Sequence, residues 1–298
     1  MPHWDTFISH SSADKAKVRR LIALLRARRL SPWIDEAGVQ FGGLLRDGLQ
    51  VAIRDSRTFV LVWSKAASKS RWVIAELLTA FHLGRFIIPC VLDRTPLPQF
   101  LGNAAYLDQK REGRRLSEML ASAIRAAPAT RNRIMPLIAA ARAEVLAKTD
   151  AIARAQLQEL DALGADNFAE CRRIHKAVDK QVTSALKRFP LESKVLNVAG
   201  YHQKNAYMLK HWDAIQAGRA PPDRLLQKAE RYFFGALQAD PTDPSALNGV
   251  GSILLFEREL DAAAFFQRCA LKSAKRLGFE YAEARQDLQI TLRFKKQR

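Results

Sequence analysis

The sequence predicts a doubly wound α/β domain with a five-stranded parallel sheet, followed by an all-α helical array. Three observations predict it. Short apolar runs of β type alternate with amphipathic helical stretches over residues 1–126, all periodicity past residue 127 is helical, and within that second half small residues recur 34 positions apart.

From the N-terminus, Phe7-Ile8 is a short β segment, and Ser-His-Ser-Ser leads from it into a helix with Asp14 near its start. Val18, Leu21, Ile22, Leu24 and Leu25 mark the buried face of that helix. Trp33-Ile34, after Pro32, is the second strand, and a Gly-containing loop runs from Asp35 to Gly43. The next helix carries Leu45, Leu49, Ala52 and Ile53 at apolar spacing. Thr58 to Trp63 is an unbroken apolar run, the pattern of a strand buried on both faces. A helix through Trp72 to Leu83, a strand from Phe86 to Leu92, a weak strand at Ala105–Leu107 and a helix from about Arg115 to Ala126 complete the unit. Strand alternating with helix implies a parallel sheet covered on both sides, of flavodoxin-like architecture.

Residues 127–133 read as a linker, which divides the chain into 1–126 and 127–298. An Ala-rich helix is expected from Arg133 to Leu163, stopped at Gly164. Phe168, Cys171, Ile174, Val178, Val182, Ala185 and Phe189 form one stripe of three- and four-residue steps, ended by Pro190. Ala229, Phe233, Ala236 and Pro241 are followed 34 residues on by Ala263 and Ala270, with Leu247, Val250, Gly251 and Leu254 between them. This period and spacing resemble the tetratricopeptide (TPR) repeat. Small residues let the helices of a hairpin approach closely while larger ones plug the next hairpin. The clearest part is about 194–275, two to three degenerate repeats. A preceding unit starts at Leu196, Ala199 and Gly200, with an insertion of roughly seventeen residues before Ala229. Gln267 stands at the usual aromatic position, beside Phe266.

The chain has 298 residues with 48 Lys and Arg against 30 Asp and Glu, a formal charge of +18. That balance suits a polyanionic partner, but it divides evenly, +9 in residues 1–126 and +9 in the rest, rather than forming an arm or stripe. A solvated basic surface is the plainer reading, and nucleic acid the lesser one. Cys90, Cys171 and Cys269 lie far apart in apolar runs, which points to buried reduced thiols and a cytoplasmic setting. No membrane span is expected, and the first residues run straight into a strand with no signal-peptide pattern. No G-x-G-x-x-G after a strand, no G-x-x-x-x-G-K-S/T and no H-E-x-x-H occurs.

One constellation carries chemistry. Trp72 and Glu76 are four apart on one helix and so share a face, near the C-terminal end of a buried strand, where open α/β sheets bind ligands. The Ser9–Ser12 loop and the Asp35–Gly43 loop converge on the same edge. Asp5-Thr-Phe-Ile-Ser-His-Ser-Ser-Ala-Asp14, then Trp33-Ile34-Asp35 with Gly42, then Ser64 and Ser70-Arg-Trp72-Val-Ile-Ala-Glu76-Leu77 stand in the order and spacing of one family. Across residues 4–126 the chain resembles the TIR (Toll/interleukin-1 receptor) domains.

The resemblance implies cleavage of the nicotinamide–ribose bond of NAD+, with Glu76 as the catalytic carboxylate and no cofactor, NAD+ being the substrate. It implies Trp72 as a pocket wall, His10 and Ser11 near ribose and phosphates, and Asp35, Gly42 and Leu44 in or beside the loop that covers the substrate. Phe41, where many members have proline, and Leu44-Leu45, where an aromatic is common, depart from the pattern. The family also implies assembly into homo-oligomers through TIR domains. The TPR-like part would take a protein or peptide partner, as in bacterial defence or signalling. The alternative is a non-enzymatic adaptor that works through TIR–TIR and TPR–protein contacts. His175, His202 and His211 are scattered among helices and receive no chemical role.

Overall fold

The computed structural model describes residues 3–34, 47–128 and 143–297, with side chains from residue 50 onward in the second of these segments. The chain divides into two compact units, Met1–Pro136 and Leu137–Arg298, so the dividing point falls outside the described residues. The expected linker beyond residue 128, the expected helix from Arg133 to residue 142, and the loop bearing Asp35, Phe41, Gly42, Leu44 and Leu45 also lie outside them.

In the first unit the elements are β1 (Trp4–Ser9), α1 (Lys15–Ala27), β2 (Pro32–Trp33), α2 (Asp47–Arg54), β3 (Ser56–Trp63), α3 (Arg71–His82), β4 (Phe86–Val91), β5 (Leu107–Asp108), α4 (Gln109–Glu112) and α5 (Leu116–Ala126). The sheet is five-stranded and parallel throughout, in the order β2-β1-β3-β4-β5. Side chains alternate across it with the two-residue period of a strand. Ile8, Val60, Val62, Ile88 and Cys90 share one core with Val18, Leu21, Ile22 and Leu25 of α1 and Leu116, Leu120 and Ile124 of α5. Their odd-numbered neighbours form the second face, where Phe7 stacks on Trp33 at 4.7 Å and on Phe59 at 5.5 Å between ring centroids.

Three expectations shift. Leu24 is 45% exposed and does not belong to the buried face of α1, because it lies off the line of Val18, Leu21, Ile22 and Leu25. The second strand is Pro32–Trp33 and leaves Ile34 outside it. The last strand moves to Leu107–Asp108, since pairing with Cys90 and Val91 of β4 sets its register.

The second unit is helical: α6 (Ala143–Gly164), α7 (Phe168–Arg188), α8 (Ser193–Gln216), α9 (Arg224–Ala239), α10 (Pro244–Phe256), α11 (Leu260–Arg276) and α12 (Ala282–Lys296). Three of the starts have a plain sequence cause. Asn167 caps α7 by accepting from the Glu170 amide at 3.2 Å, Asp223 caps α9, and Asp243 caps α10 ahead of Pro244 at its first position. The helices pair as hairpins, α6 with α7, α8 with α9 and α10 with α11, and α12 closes on α11. The first helices α6, α8, α10 and α12 also touch one another in sequence, while α7 and α9 each bridge to the following first helix.

Phe233 of α9 is fully buried and shows why small residues are needed here. A Cβ on Gly200 of α8 would come within 2.6 Å of its ring, and one on Gly249 of α10 within 2.4 Å. Gly251 faces the buried Gln267 in the same way at 2.7 Å. The extra residues before Ala229 lengthen α8, which kinks at His211 (φ −121°, ψ 23°). Asp223 then gathers them, accepting from Lys210 Nζ at 2.7 Å and sitting 2.8 Å from His211 Nε2. The Leu225 amide, with Lys210 and His211, holds that carboxyl well below the usual carboxylate range.

Candidate active site

The site begins with topology. The chain runs from β1 to β2 on one side and then crosses to β3 on the other, so β1 and β3 are neighbours at the switch point of the sheet. Loops leaving the C-terminal ends of two such strands diverge and leave a crevice between them, where helix N-termini and polar side chains collect. In register Ser9 lies opposite Leu61, two residues before the end of β3.

Glu76 reaches this end from α3. Ser70 caps that helix by accepting from the Val73 amide at 3.4 Å, which sets its first turn and the direction of its axis. Glu76 is only 8% exposed, and Ser9 Oγ donates a 2.5 Å hydrogen bond to its Oε2. A buried carboxylate is costly unless hydrogen-bonded, and a hydroxyl donating to an ionised oxygen is among the stronger neutral-to-charge contacts. Ser9 therefore fixes the carboxylate while adding no charge of its own. Trp72, one turn before Glu76 on the same helix, is half-buried with the Arg71 guanidinium 4.8 Å from its ring centroid.

A second polar pair braces the loops beside it. Ser64, just past β3, donates to Asp14 Oδ2 at 2.6 Å and accepts from the Ala67 amide at 3.0 Å. Asp14 is buried, so the residue expected at the start of the first helix is turned inward to tie the loop after β1 to the loop after β3. Ser11 is buried and caps the short turn Ser12–Asp14, accepting from the Ala13 amide at 3.3 Å. His10 is half-buried, with Nδ1 3.4 Å from the Ile8 carbonyl. Asp93 joins the loops after β3 and β4 by accepting from the Lys65 and Thr95 amides, each at 2.9 Å.

Of the residues the sequence pointed to, His10, Ser11, Trp72 and Glu76 thus stand on the loop after β1 and on α3, at the C-terminal edge of the sheet. Asp35, Gly42 and Leu44 lie outside the described residues. Ser9, a direct partner of Glu76, and the Ser64–Asp14 brace do not show as pairs in the sequence. The one sequence signal is position: Ser9 is a polar residue ending β1, on the same face of the strand as Phe7. No group of three or more His, Cys, Asp or Glu among the described residues is arranged to hold a metal ion. Burial pushes the Cys90 and Cys269 thiols up to about 12 and Cys171 to about 11. No described helix is long and apolar enough to cross a membrane.

Set beside known proteins, the chain matches the family model of the TIR domain over residues 6–120, so the five-stranded unit is of TIR type. The "Probable 2′ cyclic ADP-D-ribose synthase TcpO" of Methanobrevibacter olleyae is 32% identical over 96 residues, 31% of this chain and 28% of the relative. The "2′ cyclic ADP-D-ribose synthase AbTIR" of Acinetobacter baumannii (strain 1295743) is 35% identical over 77 residues, 26% of this chain and 29% of the relative. The chain thus spans under a third of the length of the curated relatives it matches. Among solved structures, the TIR domain of the Toll-related receptor TRR-2 from Hydra magnipapillata is 22% identical, covering 41% of this chain and 98% of its own, with a TM-score of 0.37.

Proposed function

We propose that the first unit cleaves NAD+ between nicotinamide and ribose, releasing nicotinamide and ADP-ribose or its cyclised form. Glu76 is the catalytic carboxylate. The observation that carries the reading is the buried Glu76 held by Ser9 at the β1/β3 switch point of the sheet. The activity for which two relatives matching part of the chain are named supports it.

The chemistry suits a single carboxylate. Nicotinamide departs as a neutral molecule from a cationic ring, so the leaving group needs no proton donor. Positive charge grows on the ribose as the bond breaks, and a fixed anion stabilises it more than it stabilises the ground state. Ser9 keeps the carboxylate in one orientation, so little reorganisation accompanies that charge. Trp72 forms a wall of the pocket, and His10 and Ser11 approach the ribose and phosphates. Asp35, Gly42 and Leu44 complete the substrate's cover. The fate of the ribosyl cation depends on which nucleophile reaches it, water or the adenine ring. The helical unit, with TPR-like hairpins, regulates the reaction by bringing copies together or by sensing a ligand, in the manner of a defence or signalling protein.

The test is mass spectrometry of products after incubation of the full chain with NAD+, at low and high protein concentration. Wild type is expected to release nicotinamide, more per molecule at high concentration. Glu76→Ala is expected to lose at least about a hundredfold in rate, the scale of removing one preorganised electrostatic stabiliser. Full activity in that variant overturns the assignment. No turnover by wild type at any concentration favours an adaptor without enzymatic activity.

A further inference from the structure

The even division of basic charge along the sequence disappears once the helices of the second unit are sorted by layer. α7 carries six Lys and Arg against Glu170 and Asp179, α9 three against Glu230, and α11 four against Asp261. The first helices α6, α8, α10 and α12 together carry nine cations against seven acids. The excess therefore sits on the second helix of every hairpin.

Within those helices it is also confined to one side. Arg224, Lys228 and Arg231 of α9 are exposed and step by four and three residues, opposite the buried Ala229, Phe233 and Ala236. Arg268, Lys272 and Lys275 of α11 repeat the same steps, with Arg276 beside them, opposite Phe266, Ala270 and Ala274. On α7 Arg172, Lys176, Lys180 and Lys187 form the outward row, opposite Val178, Val182 and Ala185. Arg173 and Arg188 on α7 are tied to Glu170 and Glu144. The cations of the three rows make no ion pair among the described residues. Tyr232 of α9 packs into the core cluster that holds Val178, Val182 and Ala185 of α7, so these two helices share a side of the row of first helices.

We infer that the outward layer formed by α7, α9 and α11 binds double-stranded nucleic acid through its phosphates. A duplex carries about one negative charge per 1.7 Å of axis, and the row on α7 runs about 22 Å along its helix, so several phosphates fall within reach. The apolar stripe of each helix is consumed by the core, which leaves none to sink into a bilayer, as a membrane-lying helix requires. The exposed Leu191, Leu277 and Phe279 lie beyond the ends of α7 and α11, outside the rows. This inference does not depend on the reaction proposed for Glu76.

The experiment uses the full chain and a labelled DNA duplex of about 25 base pairs, with fluorescence anisotropy read between roughly 50 and 200 mM salt. Wild type is expected to bind with a steep loss of affinity as salt rises. Lys176→Gln, Lys228→Gln and Lys272→Gln combined take one cation from each row. They are expected to weaken binding at least tenfold at 100 mM salt and to flatten the log–log slope by about 2 to 3, with an unchanged melting curve. Arg19→Gln, Arg154→Gln and Arg293→Gln, an equal charge change at exposed sites off this layer, are expected to weaken it less than threefold. Equal weakening by both triples overturns the assignment to this layer. Failure of wild type to bind the duplex at 50 mM salt, or retention by phosphatidylserine vesicles in place of the duplex, overturns the partner.

Discussion

The two units dispose of their buried polar groups in opposite ways. In the sheet unit Ser9, Ser11, Asp14, Ser64 and Glu76 gather at one end of two adjacent strands, while the buried hydroxyls of Thr6, Ser56 and Thr58 donate to nearby backbone carbonyls. In the helical unit Gln156, Glu159, His202, Asn205, Asn248 and Ser252 are strung along the first helices, each bonded across to a neighbouring helix. A parallel sheet ends all its strands at the same edge, so polar residues that cannot be buried within it meet there. A stack of hairpins has no such edge. Each hairpin makes its own neighbour contacts, and the feature that accumulates along the stack is a surface. The polar groups of the first half thus meet at a point, and those of the second spread along a face.

Truncation of Phe233 should strain this comparison most. The ring lies against α8 and α10 at once, so Phe233→Ala opens a cavity shared by two hairpins and is expected to cost about 3–5 kcal/mol. The check is the helical ellipticity at 222 nm during chemical unfolding. A loss below about 1 kcal/mol would mean that the hairpins do not depend on this plug.

Ser9→Ala probes the other architecture. Removing the hydroxyl leaves Glu76 buried without this donor, and the expected result is about a tenfold fall in kcat for nicotinamide release with little change in KM. A purely structural serine would instead lower the melting point and leave kcat alone, and Ser9→Thr should recover much of the loss.

The smallest effect concerns pH. His175 and His202 stack at 4.3 Å, with Glu159 2.6 Å from His175 Nδ1 and Asp179 3.0 Å from His202 Nε2. Burial, followed by the charge of His175, holds His202 below the ordinary histidine value, against the opposing pull of Asp179 and Glu159. The unfolded chain then takes up a proton more readily than the folded one. The contribution is fully present above about pH 6.5 and is lost as pH falls through that value towards the folded one. Thermal unfolding at pH 7.5 and 5.5 should show a downward shift in wild type that is smaller in His202→Gln. Equal shifts would remove His202 from the account.

Much of this was legible in the order of residues. β3 announces itself because the five consecutive apolar residues Phe59–Trp63 can be buried only inside a two-faced sheet, and α7 because its stripe keeps a helical step through its twenty-one residues. Trp72 and Glu76 fall on one face by their spacing alone, and Ala229, Phe233 and Ala236 read as helix-packing positions. All of these are short-range facts, set by periods of two and 3.6 that the chain displays directly.

The tertiary structure decided everything that depends on distance across the chain. Ser9 meets Glu76 across 67 residues and Ser64 meets Asp14 across 50, and nothing in either neighbourhood names its partner. Gly249 was invisible until Phe233 was seen against it. The charge is the clearest case. Spacing along the chain divides the basic excess evenly between the halves, while sorting the described helices of the second half by their place in each hairpin gathers the excess on the second helices. Periodicity fixes which side of its own helix a residue occupies. Only the packing of hairpin upon hairpin determines which of those sides add up.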